Sequence, residues 1–343
     1  MAEKHDVVIV GAGPGSLVAA EYLAKHGKDV LVLEKGQIVG KKVCAAGITL
    51  KSLCFDLPKH IMERAFQRFT IHTPKQEVVF EANEPFLYTT TRPALGSFLA
   101  KKTKKAGAEI RIDSPVHTVA DSSVTVNGNP IYFSQLIGGD GAASLVRKSL
   151  GLQVEGCHQA FQYIIPKQKQ EIEIFVDANK FGPGYAWIFP YKNTCSVGAG
   201  TDLRSTVQKR YPSSAVRENF FSWFEERFPD EEKEFQAFTI SYDYKGHEFG
   251  NKFLIGDAGG FSSSFTGEGI YQAMLTGLEA AKKIVDPTYP CPEIQRLLSI
   301  KKKEDFYLHL LEKGPTNLLF ETGAFLFKRP AVGRRVLEKL SRY

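Results

Sequence analysis

"HDVVIVGAGPGSLVAAEYLAKHGKDVLVLEK", residues 5–35, decides how the chain must fold. An apolar run at 7–10 leads into a glycine-rich turn, a helical pattern ended by Gly27, and a second apolar run at 30–33. Short apolar runs bounded by turn residues read as strands buried on both faces. Two such strands joined through a helix are parallel, which makes one βαβ unit. Gly11, Gly13 and the residues after them approximate G-x-G-x-x-G, with Ser16 in place of the third glycine. In that motif the first glycine permits a tight turn and the second lets backbone approach a pyrophosphate. The third lets helix and strand pack closely, and the helix N-terminus adds partial positive charge. Serine is small enough to keep the packing. Glu34 ends the second strand 21 residues after Gly13, with Lys35 beside it. That is the distance expected of a carboxylate that binds ribose hydroxyls. The stretch predicts a dinucleotide site.

Outward from it, the chain alternates between two textures. Residues 109–140 turn to short strands, with Asn127-Gly128 as a hairpin signal. "LIGGDGAASLVRKSLG" then runs from strand into turn and helix, and "FLIGDAGGFSSSFTGEGIYQAMLTGLEAAKKIV" repeats strand, loop, helix. Residues 64–90 and 158–245 read largely as strands and loops with aromatic alternation. The fold expected is therefore α/β, α+β overall: a discontinuous Rossmann-like domain (1–63, 91–150, 246–290) with an antiparallel β-sheet substrate domain inserted as 64–90 and 151–245. A helical region, 291–343, follows.

Composition is that of an ordinary globular chain, 43% hydrophobic and 24% charged, with a net charge of +6 over 343 residues. The excess is uneven, since residues 328–343 hold six Lys/Arg against a single acid, Glu338. A solvated amphipathic helix accounts for that, and so does peripheral contact with an anionic membrane. The lysine run at 101–105 reads as a solvated helix end before Gly107, so no nucleic-acid partner is expected. Five cysteines without a C-x-x-C pair indicate neither a disulfide framework nor a zinc site, and the histidines lack metal-ligand spacing. Reduced thiols and a cytoplasmic location follow as expectations. No apolar run approaches the ~20 residues of a membrane span.

"GYAWIFPYKNTCSVGAG", residues 184–200, sets Tyr185, Trp187 and Phe189 on one face of a strand. Such a face is either packed core or the wall of an apolar site. Three sets of residues carry a resemblance that bears on the choice. "LIGGDGAASLVRKSLG", with Asp140, Gly141 and Arg147, and "FLIGDAGG", with Asp257, are similar to motifs of the aromatic-hydroxylase-like flavoproteins. Tyr185-x-Trp187-x-Phe189-Pro190, seven residues, then Gly198-x-Gly200 resembles the signature of the geranylgeranyl reductase family. "GKKVCAAGIT" is similar to that family's cysteine-containing flavin loop, although Ala46 stands where many relatives have glycine.

The resemblance implies FAD as cofactor. It implies contacts from Gly11, Gly13, Gly15, Ser16, Glu34, Lys35, Cys44, Ala45, Gly47, Arg92, Val116, Asp140, Gly141, Asp257, Gly267, Gly269 and Ile270. Val116 would offer backbone to the adenine, and a helix opening at Ile270 would aim its N-terminus at the flavin pyrimidine. The implied reaction saturates prenyl double bonds with hydride from reduced flavin and a proton from elsewhere. Tyr185, Trp187, Phe189, Gly198 and Gly200 would meet the isoprenoid or lipid substrate, and the ring faces of Tyr185 and Trp187 would tolerate cationic character. Cys44 is the candidate proton donor. The electron donor would be NAD(P)H or a reduced ferredoxin acting as redox partner. A flavin-dependent aromatic monooxygenase and an electron-transfer flavoprotein dehydrogenase-like oxidoreductase are the alternatives.

Overall fold

The computed structural model describes residues 2–341 and divides into two compact units. The first comprises Met1–Lys42, Arg92–Cys157 and Ile240–Glu304; the second comprises Val43–Thr91, His158–Thr239 and Asp305–Tyr343. Of the basic tail, Arg342 and Tyr343 lie outside the described residues.

The first unit is built on an eight-stranded sheet. Glu3–Val10 lies at its centre, parallel to Val30–Leu33 on one side and Asn129–Gly138 on the other. Glu109–Arg111 and Lys252–Leu254 extend the parallel part at either end. The helix Pro14–Lys25 connects the first two strands, opens with proline in its first turn, and is followed by Gly27 at a φ of 76°. Asn127 and Gly128, at φ values of 50° and 79°, make the tight turn their sequence predicts. That turn joins Ser123–Val126 to Asn129–Gly138, and Val116–Val119 completes a small meander. Register then fixes the functional edge. Val10 pairs with both Leu33 and Gly138, and Gly138 pairs with Leu254. Gly11, Glu34, Gly139 and Ile255 therefore leave the sheet side by side at its carboxyl edge, where open α/β sheets bind ligands.

The second unit centres on a seven-stranded sheet ordered Glu234–Ser241, Cys157–Ile165, Cys195–Asp202, Tyr185–Pro190, Ile172–Phe175, Arg68–His72, Glu77–Glu81. Cys157–Ile165 with Cys195–Asp202, Cys195–Asp202 with Tyr185–Pro190, Tyr185–Pro190 with Ile172–Phe175, and Arg68–His72 with Glu77–Glu81 are antiparallel pairs. Ile172–Phe175 instead meets Arg68–His72 in parallel. Those two strands come from separate insertions, so no hairpin dictates their relative direction. The helix Ser213–Arg227 covers one face, packing Val216, Phe220, Trp223 and Phe224 against Ala186, Ile188, Val197 and Ala199. A strand-and-loop reading of 158–245 overlooked this helix. Its four inward residues sit at helical spacing, yet three are aromatic and invite a strand reading. Residues 43–63, placed with the Rossmann-like domain on sequence, fall in this unit because Gly47–Thr49 and Met62–Phe66 both pair with Leu87–Thr90. The helices Pro292–Lys313, Thr316–Phe327 and Pro330–Ser341 end the chain. No helix among the described residues is long and apolar enough to cross a membrane.

Candidate functional site

At the carboxyl edge of the first sheet the glycines divide by function. A Cβ on Gly11 would stand 2.7 Å from the Gly139 carbonyl oxygen, and Gly11 has a φ of 88°, so the turn itself demands glycine there. A Cβ on Gly13 would meet nothing closer than 3.7 Å. Protein packing leaves that space open, as approach of a phosphate requires. Gly13 also opens the helix Pro14–Lys25 without a side-chain cap, leaving first-turn N–H groups to a ligand. Glu34 is anchored beside this turn, accepting from Ala12 N and Gly36 N at 2.8 Å each. Each carboxylate oxygen keeps capacity for a hydroxyl donor. Lys35 is exposed.

Gly15 and Ser16 serve packing. A Cβ on Gly15 would stand 2.2 Å from the Ala273 carbonyl oxygen, and one on Gly277 would stand 2.1 Å from the carbonyl oxygen of Gly15. The helices Pro14–Lys25 and Ile270–Val285 therefore cross backbone to backbone. Ser16 Oγ is buried without a hydrogen-bond partner and fills the place where a Cβ on Gly139 would be. Serine is thus accommodated because Gly139 has no side chain.

Asp140 is committed to the fold. Its carboxylate accepts from Ser144 Oγ at 2.6 Å and from Leu145 N at 2.6 Å, holding the start of the helix Leu145–Ser149. Burial pushes its pKa up, against hydrogen bonds that pull it down. Gly141, at a φ of 83°, makes the turn between them. Arg147 is buried and clamps three segments, donating to Asp243 O at 2.7 Å, Asp243 Oδ2 at 3.0 Å and Gln153 O at 3.0 Å. Val116 is half-buried against the sheet core in the edge strand of the meander.

Asp257 lies on the turn Gly256–Gly259, where it accepts from Lys42 Nζ at 2.7 Å and Ser262 Oγ at 2.6 Å. Gly269 caps the helix Ile270–Val285 with no side-chain hydrogen bond. A Cβ on it would lie 2.6 Å from Ser262 Oγ and 3.3 Å from Asp257 Oδ1, so carboxylate and helix N-terminus are neighbours. Gly267, at a φ of 68°, shapes the loop before them. Lys42 escaped the sequence reading, since its partner is 215 residues away. Arg92 opens the helix Arg92–Lys105 with only 8% of its surface exposed, and its Nε has no hydrogen-bond partner. A buried cation is costly unless paired. An anionic cofactor meets that need. The open space at Gly13, the anchored Glu34 and the orphaned Arg92 Nε together fit FAD.

In the second unit the aromatic signature resolves into a hairpin. Tyr185 pairs with Gly200, Trp187 with Gly198, and Phe189 with Ser196. The seven-residue spacing is what antiparallel register needs to set two of the rings opposite glycines. A Cβ on Gly198 would lie 2.4 Å from the Trp187 indole, so Gly198 makes room for that ring. Trp187 Nε1 donates to Ser196 Oγ at 2.9 Å, and Ser196 Oγ donates to Gln162 Oε1 at 2.9 Å. The indole is thereby fixed, and Tyr185 meets it edge-on at 6.0 Å. Strand alternation sends Ala186 and Ile188 to the helix-covered core, so the three rings occupy the opposite face.

That face adjoins the cysteine-containing loop. Phe189 lies where a Cβ on Gly47 would be 2.8 Å away, and Tyr191 OH donates to Ala45 O at 2.8 Å. Ala46 is buried at a φ of 47°, a conformation that favours glycine, and its N–H donates to Cys44 Sγ at 3.3 Å. Cys44 is half-buried. Burial pushes the Cys195 and Cys291 thiols up to about 11, which keeps both protonated and unreactive.

Comparison with known proteins agrees with this reading. The family model described as an NAD(P)-binding Rossmann-like domain matches residues 9–70. A digeranylgeranylglycerophospholipid reductase of Methanosarcina mazei is 30% identical over 81% of this chain and 74% of its own length. An uncharacterized protein of Methanosarcina barkeri is also 30% identical, over 82% of this chain and 75% of its own. A geranylgeranyl bacteriochlorophyll reductase-like structure from Thermoplasma acidophilum superposes with a TM-score of 0.83 at 19% identity, covering 99% of this chain and 97% of that one. A flavin-dependent brominase has the same fold at a TM-score of 0.74 and 16% identity, over 98% of this chain and 93% of its own. With the cofactor-fitting edge and the aromatic hairpin in place, these relatives show that the chain belongs to the geranylgeranyl reductase family of FAD-dependent oxidoreductases.

Proposed function

We propose that this chain saturates isolated carbon–carbon double bonds of a polyprenyl chain, with geranylgeranyl groups on a glycerophospholipid as the substrate class. The first unit holds FAD and the second takes the prenyl chain. The observation that carries the reading is the hairpin of Tyr185–Pro190 and Cys195–Asp202, whose rings occupy the face opposite the helix-covered core. Phe189 packs at one end against the core that includes Phe66 and Phe86, and Trp187 is buried between it and Tyr185. Bound FAD, once reduced by NAD(P)H or a ferredoxin, supplies the hydride.

The residues of the chain do the rest. An unactivated alkene has no carbonyl to hold developing charge, so its transition state acquires cationic character. The face of an aromatic ring attracts such charge. Trp187 is suited to that role because Ser196 fixes its indole edge and Gly198 supports its plane, which removes reorganisation at the moment of reaction. Tyr185 and Phe189 extend the apolar wall. The proton for the second alkene carbon comes from Cys44 Sγ. Ala46 N–H, already directed at that sulfur, stabilises the thiolate left behind.

Replacement Cys44→Ser tests the proton assignment. FAD should remain bound while alkene reduction slows by ~100-fold, the usual scale of a lost general acid. Turnover at the original rate would remove Cys44 from the reaction.

A further inference from the structure

The helix Thr316–Phe327 does not present to water what a solvent-facing helix presents. Its inner side joins Ala324 and Phe327 to the core that includes Phe69 and Phe80. Charged residues normally occupy the other side. Here Glu321 is the single charged residue between Thr316 and Phe327, and it is turned to the residue 73–76 turn. There it accepts from Thr73 Oγ1 at 2.9 Å, Gln76 Nε2 at 2.8 Å and Lys75 N at 3.0 Å. What remains outside is mostly apolar, since the hydroxyl of the exposed Thr322 is turned back to the Leu318 carbonyl. Leu318 is 62% exposed and Phe325 58%, seven positions apart on one stripe, with Leu326 beside them.

The end of the preceding helix, Pro292–Lys313, repeats the arrangement. Phe306 is 65% exposed and Leu310 is exposed one turn later. Glu312, its last acid, is buried and bound to Arg204 at 2.7 Å. Glu321 and Glu312 are thus held inward; Asp305 and Glu338 stay exposed but are outnumbered by the exposed cations Lys313, Lys328, Arg329, Arg334 and Arg335. The Arg329 guanidinium lies over the Phe325 ring, 5.7 Å from its centre, so a cation borders the apolar stripe.

We propose that this surface docks on an anionic phospholipid bilayer, with Leu318, Phe325 and Phe306 among the acyl chains and the lysine and arginine heads at phosphate depth. Charge complementarity favours this occupant over a second copy, because an isologous contact would press like cations together. The inference goes beyond the reductase reading and does not rest on it.

Sedimentation of the full chain with vesicles tests it. Vesicles of phosphatidylglycerol and phosphatidylcholine in equal parts should carry the protein down, and high salt or pure phosphatidylcholine should release most of it. Leu318→Ser with Phe325→Ser should weaken partitioning by roughly tenfold or more. Arg334→Gln with Arg335→Gln should weaken it on anionic vesicles alone. Melting temperature and FAD absorbance serve as controls for folding. Equal binding to both vesicle types, or unchanged binding of the Leu318/Phe325 variant, would overturn the proposal. So would a dimer, seen by light scattering, that this variant abolishes.

Discussion

At Arg92, as at Arg147 and Ser16, a buried polar side-chain atom lacks a hydrogen-bond partner, and a cation so placed asks for an explanation. On the proposed reading this Nε is held for the anionic cofactor. Arg92→Gln should weaken FAD binding by ~10–100-fold, the scale of a charged hydrogen bond, while the cofactor-free protein melts no lower. Fluorescence titration with FAD, paired with melting of the apoprotein, reads both quantities. A fall in apoprotein stability without loss of affinity would make Arg92 structural. At this scale the sequence was informative where a residue type is sterically forced. Gly11 could be named because the tight turn requires glycine, and Gly198 through the signature, whose steric reason is the indole lying against it. Lys42 could not, because nothing local marks a partner as distant as Asp257. The close packing that the motif asks of its third position is seen at Ser16 against Gly139, and Gly15 packs as closely against Ala273.

Among elements, the crossing of Pro14–Lys25 and Ile270–Val285 sets how the glycine-rich turn is presented. Alanine at Gly277 would ordinarily favour a helix by ~1 kcal/mol. In this crossing its Cβ would lie 2.1 Å from the Gly15 carbonyl oxygen, so the helices would have to separate. Overpacking of this kind costs ~1–3 kcal/mol, and backbone against backbone has no rotamer to yield. Gly277→Ala should therefore lower the urea midpoint and weaken FAD binding together; a stabilised variant would refute the close crossing.

The parallel seam of the second sheet carries a different signature. The hydrogen bond that His72 Nε2 donates to the Glu173 carboxylate raises the pKa of His72 and lowers that of Glu173. The histidine's contribution is thus complete below the ordinary imidazole pKa and is lost as pH climbs through its raised value. The glutamate's contribution is present above the ordinary carboxylate pKa and is lost as pH falls through its lowered value. Urea midpoints measured from about pH 6 to about pH 8.5 should fall for the native chain and fall less steeply for His72→Asn, in which His5, raised by Glu3 and Asp29, still contributes. Parallel curves would mean that the pair contributes nothing at the seam. Neither the seam nor the helix Ser213–Arg227 was legible. The first joins segments far apart in sequence, and the second hides its period in aromatic residues.

Over the whole molecule, the interleaving of two units was legible because βαβ text and β-rich text alternate along the chain. The break after Lys42 was not, since residues 43–63 find their strand partner only at Leu87–Thr90. A fold shared with a brominase leaves the chemistry to the site, and the proposed alkene reduction rests on the fixed indole and on the cysteine-containing loop that Tyr191 and Phe189 meet. The most direct measurement is anaerobic. The FAD-loaded protein is reduced with dithionite and mixed with a geranylgeranyl lipid, and flavin absorbance and product mass are followed together. The account predicts reoxidation without oxygen, matched by products heavier in steps of two hydrogens. Flavin that stays reduced until oxygen is admitted, with a product that gains oxygen, would contradict it.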